Sequence, residues 1–215
     1  FRSLALNAGT TLNASASLVN SQINAGPVGS SITGVGVGLT AGSVTGASSV
    51  GNNTVQASGT ANLAINSMDI TGGTLAAATG GSTGALTATA DYVALNHQNN
   101  LGDVSTSVNG AAIALANNST SGSASVLNNA ILADATGNSA INRITLSTPG
   151  TATADVAFNG FQNNIGASVS SSISGASISL STTGVGSFRT SGNRIGATAT
   201  GNASVSSIST RSSGL

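Results

Sequence analysis

Apolar and polar residues alternate along nearly the whole chain, and the alternation breaks at corners rich in Gly and Asn. The stretch after Asn129 displays the pattern clearly. Ile131, Ala133 and Ala135 alternate with Leu132, Asp134 and Thr136, the period of two of a short strand. Gly137-Asn138 then marks a turn. Ala140 to Leu146 alternates again, Ser147-Thr148-Pro149-Gly150 reads as a second turn, and Ala154 to Phe158 forms a third strand. Asn159-Gly160 leads back to the starting pattern. Three strands and three corners are thus predicted between Asn129 and Asn163.

That cycle repeats. Asn20-Ser21-Gln22-Ile23, Asn52-Asn53-Thr54-Val55, Gln98-Asn99-Asn100-Leu101, Asn128-Asn129-Ala130-Ile131, Gln162-Asn163-Asn164-Ile165 and Gly192-Asn193-Arg194-Ile195 are copies of one motif. Their second positions, Ser21, Asn53, Asn99, Asn129, Asn163 and Asn193, are nearly evenly spaced except for a longer step from Asn53 to Asn99. A near-fixed period of roughly 20–50 residues marks a stacked repeat. An Ile-x-Leu-like element returns at a near-constant distance after the leading apolar residue, as from Leu101 to Ile113-Ala114-Leu115 and from Ile165 to Ile178-Ser179-Leu180. The expected fold is all-β: a single parallel β-helix (β-solenoid) over 1–215, with about three short strands per coil and six to seven coils. Ile23, Val55, Leu101, Ile131, Ile165 and Ile195 would form one apolar core stack. Asn53, Asn99, Asn129, Asn163 and Asn193 would form a structural ladder, since stacked Asn side chains bond one another along the axis. Asn also tolerates left-handed backbone at corners. The long step from Asn53 to Asn99 implies an insertion within 71–90.

Composition narrows the classes. Only 5% of the 215 residues are charged, and Lys and Glu are absent, which removes good helix formers. Disorder is disfavoured by zero net charge and a mean hydropathy of +0.26. Aromatics make up 2%, so the interior must be narrow and filled by Ala, Val, Ile, Leu and Ser. The absence of Cys removes thiol chemistry and disulfides. There is no basic patch for nucleic acid and no apolar run long enough for a membrane-spanning helix. No leader pattern is legible, and Phe1 is taken as a mature or trimmed start.

Candidate chemistry is sparse. His97 and Tyr92 lie near Asp91, but His97 has no second His or Cys, so a corner role is expected rather than catalysis or metal binding. The five Asp residues are scattered, without the carboxylate pair of a glycosidase. Gly72-Gly73 and Gly80-Gly81 lack the Asp of calcium-binding repeats, and no Lys follows the Gly34–Gly38 run as in a phosphate loop. No catalytic, cofactor-binding or metal residue is assigned, and no enzyme is expected. Phe158, Phe161 and Phe188 are read as core filling.

The copies Gly137-Asn138-Ser139-Ala140-Ile141-Asn142, Gly201-Asn202-Ala203-Ser204-Val205 and Phe161-Gln162-Asn163-Asn164-Ile165-Gly166 resemble the repeats of curlin-type fibre subunits and of secreted bacterial adhesins, including holdfast-attachment proteins. The resemblance implies an exported, matrix- or surface-associated structural protein of a bacterium. Exposed strand edges at the ends of a solenoid pair with other edges unless blunted. The leading expectation is therefore an extracellular subunit whose partner is itself, head to tail, in a filament or matrix fibre for surface attachment. The alternative is a fragment of a secreted adhesin that binds extracellular polysaccharide or a surface without polymerising. An ice-binding face is weighed on Thr87-Ala88-Thr89 and Thr151-Ala152-Thr153, which share a register, but the coil between them has Asn117-Asn118-Ser119. A polysaccharide-degrading β-helix would need clustered carboxylates, which are absent.

Overall fold

The computed structural model describes residues 16–71, 91–149, 155–184 and 186–212. Among them are fifteen strands and no helix. In chain order these are β1 (Ala16–Asn24), β2 (Val28–Thr33), β3 (Gly36–Val44), β4 (Ala47–Gly51), β5 (Thr54–Thr71), β6 (Tyr92–Asn100), β7 (Val104–Asn109), β8 (Ala112–Thr120), β9 (Ser123–Leu127), β10 (Ala130–Thr148), β11 (Val156–Asn164), β12 (Val169–Ser174), β13 (Ser177–Gly184), β14 (Ser187–Ser191) and β15 (Arg194–Ser212). All pairing is parallel, in five three-stranded sheets: β1-β6-β11, β2-β7-β12, β3-β8-β13, β4-β9-β14 and β5-β10-β15. The chain is a parallel β-solenoid, as its alternation and corner residues led us to expect.

Its coils are twice as long as expected. The described residues form three coils of five strands, not six to seven coils of three. Ala16 lies beside Tyr92 and Tyr92 beside Val156, so one full turn of the solenoid separates these positions (92−16=76, 156−92=64). Two consecutive copies of the sequence motif fit within each such turn, so the recurrence marks a half-coil. Gly137-Asn138 explains the difference. It is no corner: β10 runs through it, with Thr136 beside Thr200 and Asn138 beside Asn202. Gly137 itself drops out of the pairing and shifts the alternation by one. Ala133 and Ala135 before it, and Asn138, Ala140 and Asn142 after it, all face inward and are buried. A Cβ at Gly137 would come within 2.5 Å of both Asn164 Oδ1 and the Gly201 carbonyl, so only glycine admits this approach.

Corners are made where left-handed backbone is cheap. Asn52, Asn128 and Gly192 stack at one corner with φ of 59°, 54° and 67°. Gly and Asn tolerate these values where β-branched residues do not. The insertion expected within 71–90 falls on residues outside the described ones, apart from Thr71. The flanking register makes this connection longer: Thr71 pairs with Ser147 and Tyr92 with Val156, leaving steps of 92−71=21 and 156−147=9.

The long strand β10 closes two apolar compartments. Its first half packs Ile131 and Ala133 with Val108, Ile113, Leu115 and Val126. Its second half packs Ile144 and Leu146 with Tyr92 and Ala94 of β6. Between the two lies a seam of buried amides: Asn96, Gln98 and Asn100 from β6, and Asn138 and Asn142 from β10.

Candidate assembly interface: amide ladders and two open faces

Stacking puts each amide above its equivalent, and the side chains bond along the axis. Gln98 Nε2 donates to Gln22 Oε1 (2.8 Å), and Gln162 Nε2 to Gln98 Oε1 (2.6 Å). Each Gln also donates across the seam to a long-strand carbonyl, at Leu63, Ser139 and Ala203 respectively for Gln22, Gln98 and Gln162. Asn62 Nδ2 donates to Asn138 Oδ1 and Asn138 Nδ2 to Asn202 Oδ1, both at 2.7 Å. Asn66 Nδ2 donates to Asn142 Oδ1 at 2.8 Å. At the corner, Asn53 Nδ2 donates to Asn129 Oδ1 and Asn129 Nδ2 to Asn193 Oδ1, both at 3.0 Å.

The five Asn residues of the expected ladder thus occupy two columns. Asn53, Asn129 and Asn193 bond one another, while Asn99 and Asn163 lie on β6 and β11 in register with Ile23. The expected single apolar stack divides as well. Val55, Ile131 and Ile195 share one inward column. Leu101 and Ile165 follow the ends of β6 and β11 and are exposed, and Ile23 stands in the column of Asn99 and Asn163. Half-coils of similar chemistry explain both results: alternate copies of the motif lie above one another, whereas consecutive copies lie around the same coil.

The ladders of Gln22-Gln98-Gln162 and Asn62-Asn138-Asn202 escaped the sequence reading. The signal of the Asn ladder was the full-coil recurrence of an Ala-Asn or Gly-Asn pair at Ala61-Asn62, Gly137-Asn138 and Gly201-Asn202, and that of the Gln ladder was a Gln in alternate motif copies. Two broken rungs have visible causes. Asn96 Nδ2 is buried without a partner because Gly160 occupies its column in the third coil. Asn100 Nδ2 is likewise unpartnered because Asn164 turns across to Gly201 and Asn202, into the space Gly137 leaves.

The other candidates do not converge. Tyr92 faces the core with Ile144, whereas His97, an odd number of positions along the same strand, lies on the opposite face, 5.1 Å from the Phe161 ring. Phe158 packs with Tyr92 and Ile144, and Phe188 is half-exposed in the column of Ser48 and Ala124. The Phe residues therefore share no face. The Thr87–Thr89 and Thr151–Thr153 pairs lie outside the described residues.

One carboxylate is visibly tuned. Asp103 Oδ1 accepts from the Ser168 backbone N–H (2.7 Å) and hydroxyl (2.9 Å), and these bonds hold its pKa below the ordinary carboxylate value. A depressed folded-state pKa contributes stability above the unfolded value that is lost as pH falls through the folded one. The Ser168 amide signal is accordingly expected to shift with a midpoint below the usual Asp range, and to stay flat in Asp103→Asn, in an NMR pH titration.

The most extensive feature is the pair of open faces. Among the described residues, β1–β5 and β11–β15 pair only with the middle coil, so each end coil leaves one edge unpaired. Equivalent positions show the consequence. Leu115 is 0% exposed and Leu39 in the same column 41%; Ile131 is 0% exposed and Ile195 46%. Comparison of the chain with protein-family models, with curated proteins and with solved structures finds no match.

Proposed function

We propose that the chain is an extracellular structural subunit that assembles end to end into a filament or matrix fibre. The observation that carries this is the contrast between the sealed middle coil and the open end coils. The column complete at Leu115 ends in half-exposed Leu39 on the first-coil face, and the column complete at Ile131 ends in half-exposed Ile195 on the third-coil face. Covering each such Leu or Ile would contribute about 1 kcal/mol of hydrophobic free energy. Strand edges that no described residue pairs with lie beside them and offer a row of backbone donors and acceptors. An outward location is supported by the sparse charge and by the resemblance of the repeats to those of fibre and adhesin subunits.

Raising the protein concentration is expected to lengthen particles in negative-stain electron microscopy while their width stays constant. Monodisperse particles at high concentration, by sedimentation velocity, contradict the proposal. Glycan-array binding by such monomers would favour the adhesin alternative.

A further inference from the structure

The ladders have a direction, and it bears on how two copies meet. In the Gln column, donation runs from the third coil to the second and from the second to the first. On the first-coil face, Gln22 Nε2 therefore keeps one N–H beyond its bond to Leu63. On the third-coil face, no described residue donates to Gln162 Oε1. In the Asn columns, donation runs the other way, from first coil to third. Asn193 and Asn202 each keep one N–H on the third-coil face, beyond their bonds to the Val126 and Gln162 carbonyls. No described residue donates to the Oδ1 of Asn53 or Asn62 on the first-coil face. In all three columns, what one face offers the other face lacks.

We infer that copies join head to tail, the first coil of one chain occupying the fourth-coil position on the third coil of another, with Gln22 on Gln162, Asn53 on Asn193 and Asn62 on Asn202. This rests on the assembly proposed above and specifies its geometry. The partner is a second copy because the side chains match by column. Val55 would lie on Ile195 as it lies on Ile131, and Leu39 on Leu180 as it lies on Leu115. A face-to-face pair of identical ends would oppose donor to donor in the Gln column of the first-coil face, and acceptor to acceptor in that of the third. The interface is heterologous and does not close, the symmetry that generates filaments.

Two variants, each blocking one face, test this. Leu39→Lys places a cation on the first-coil face, and Ile195→Lys places one on the third-coil face, at positions 41% and 46% exposed. With wild type forming filaments, each variant alone is expected to stay monomeric. An equimolar mixture is expected to give a particle of twice the 20.3 kDa chain mass and no longer species, by sedimentation velocity. A single variant that dimerises alone, a variant that still forms filaments, or a mixture that remains monomeric overturns the head-to-tail junction but leaves assembly standing. Wild type that does not assemble overturns the assembly proposal itself. Val35→Lys paired with Phe188→Lys, again one on each face, replaces the first pair if circular dichroism shows that either variant has lost its β-structure.

Discussion

Asn129→Leu is expected to destabilise the folded chain by about 3–5 kcal/mol, at the upper end of single-substitution effects. Asn129 is fully buried and its side-chain amide makes four hydrogen bonds, to three residues. Its Oδ1 accepts from the Asn53 backbone N–H (3.1 Å) and from Asn53 Nδ2, and its Nδ2 donates to the Val50 carbonyl (3.1 Å) and to Asn193 Oδ1. Leu fills a similar volume, so the loss arises from orphaned polar groups rather than a cavity. Each buried group left unpaired costs about 1–3 kcal/mol, and the costs do not add fully. The exposed Asn118 is the control: Asn118→Leu should change stability by no more than about 0.5 kcal/mol. Urea denaturation of both variants measures the difference, and equal midpoints would show that no buried ladder operates at position 129.

A second large effect is expected at the seam. Gln98 is fully buried, donates to Gln22 and to the Ser139 carbonyl, and accepts from Gln162. Gln98→Glu keeps the shape but places a carboxylate against two acceptors. The cost at neutral pH is expected to be about 3–5 kcal/mol. Burial and the facing oxygens raise the folded-state pKa of the new Glu above its unfolded value of about 4.3. The unfolded state then releases its proton first as pH rises. The penalty is therefore smallest below about pH 4 and grows as pH rises through the unfolded and then the folded pKa. Gln98→Leu carries no such group, so the stability difference between the two variants should widen from pH 4 to pH 7. A difference independent of pH would place position 98 in contact with solvent.

Much of the fold was legible, and the part that was not has a definite cause. Alternation such as Ile131-Leu132-Ala133-Asp134-Ala135 revealed strands, and corner pairs such as Asn52-Asn53 and Asn128-Asn129 revealed one real ladder. Coil size was not legible, because consecutive half-coils carry nearly the same motif. Asn99 and Asn129 look equivalent in sequence, yet one lies on β6 and the other leads into β10, beyond the next corners of the same coil. Gly137-Asn138 compounds this. A Gly-Asn pair signals a turn by local chemistry, but Asn138 is held inward by bonds to Asn62, Asn202 and the Asn163 carbonyl, and the chain stays extended. Tertiary partners decided what the dipeptide could not. The faces lay further from reach, since Leu39 and Leu115 differ only in whether another coil covers them.

Fibre diffraction from aligned filaments addresses three-coil stacking most directly. Strands perpendicular to the fibre axis with a spacing of about 4.8 Å, together with an axial subunit repeat of about 14 Å, are expected when three coils of each copy continue into the next. An axial repeat of about 29 Å, the height of six narrow coils, or a strand spacing oriented across the fibre, would contradict it.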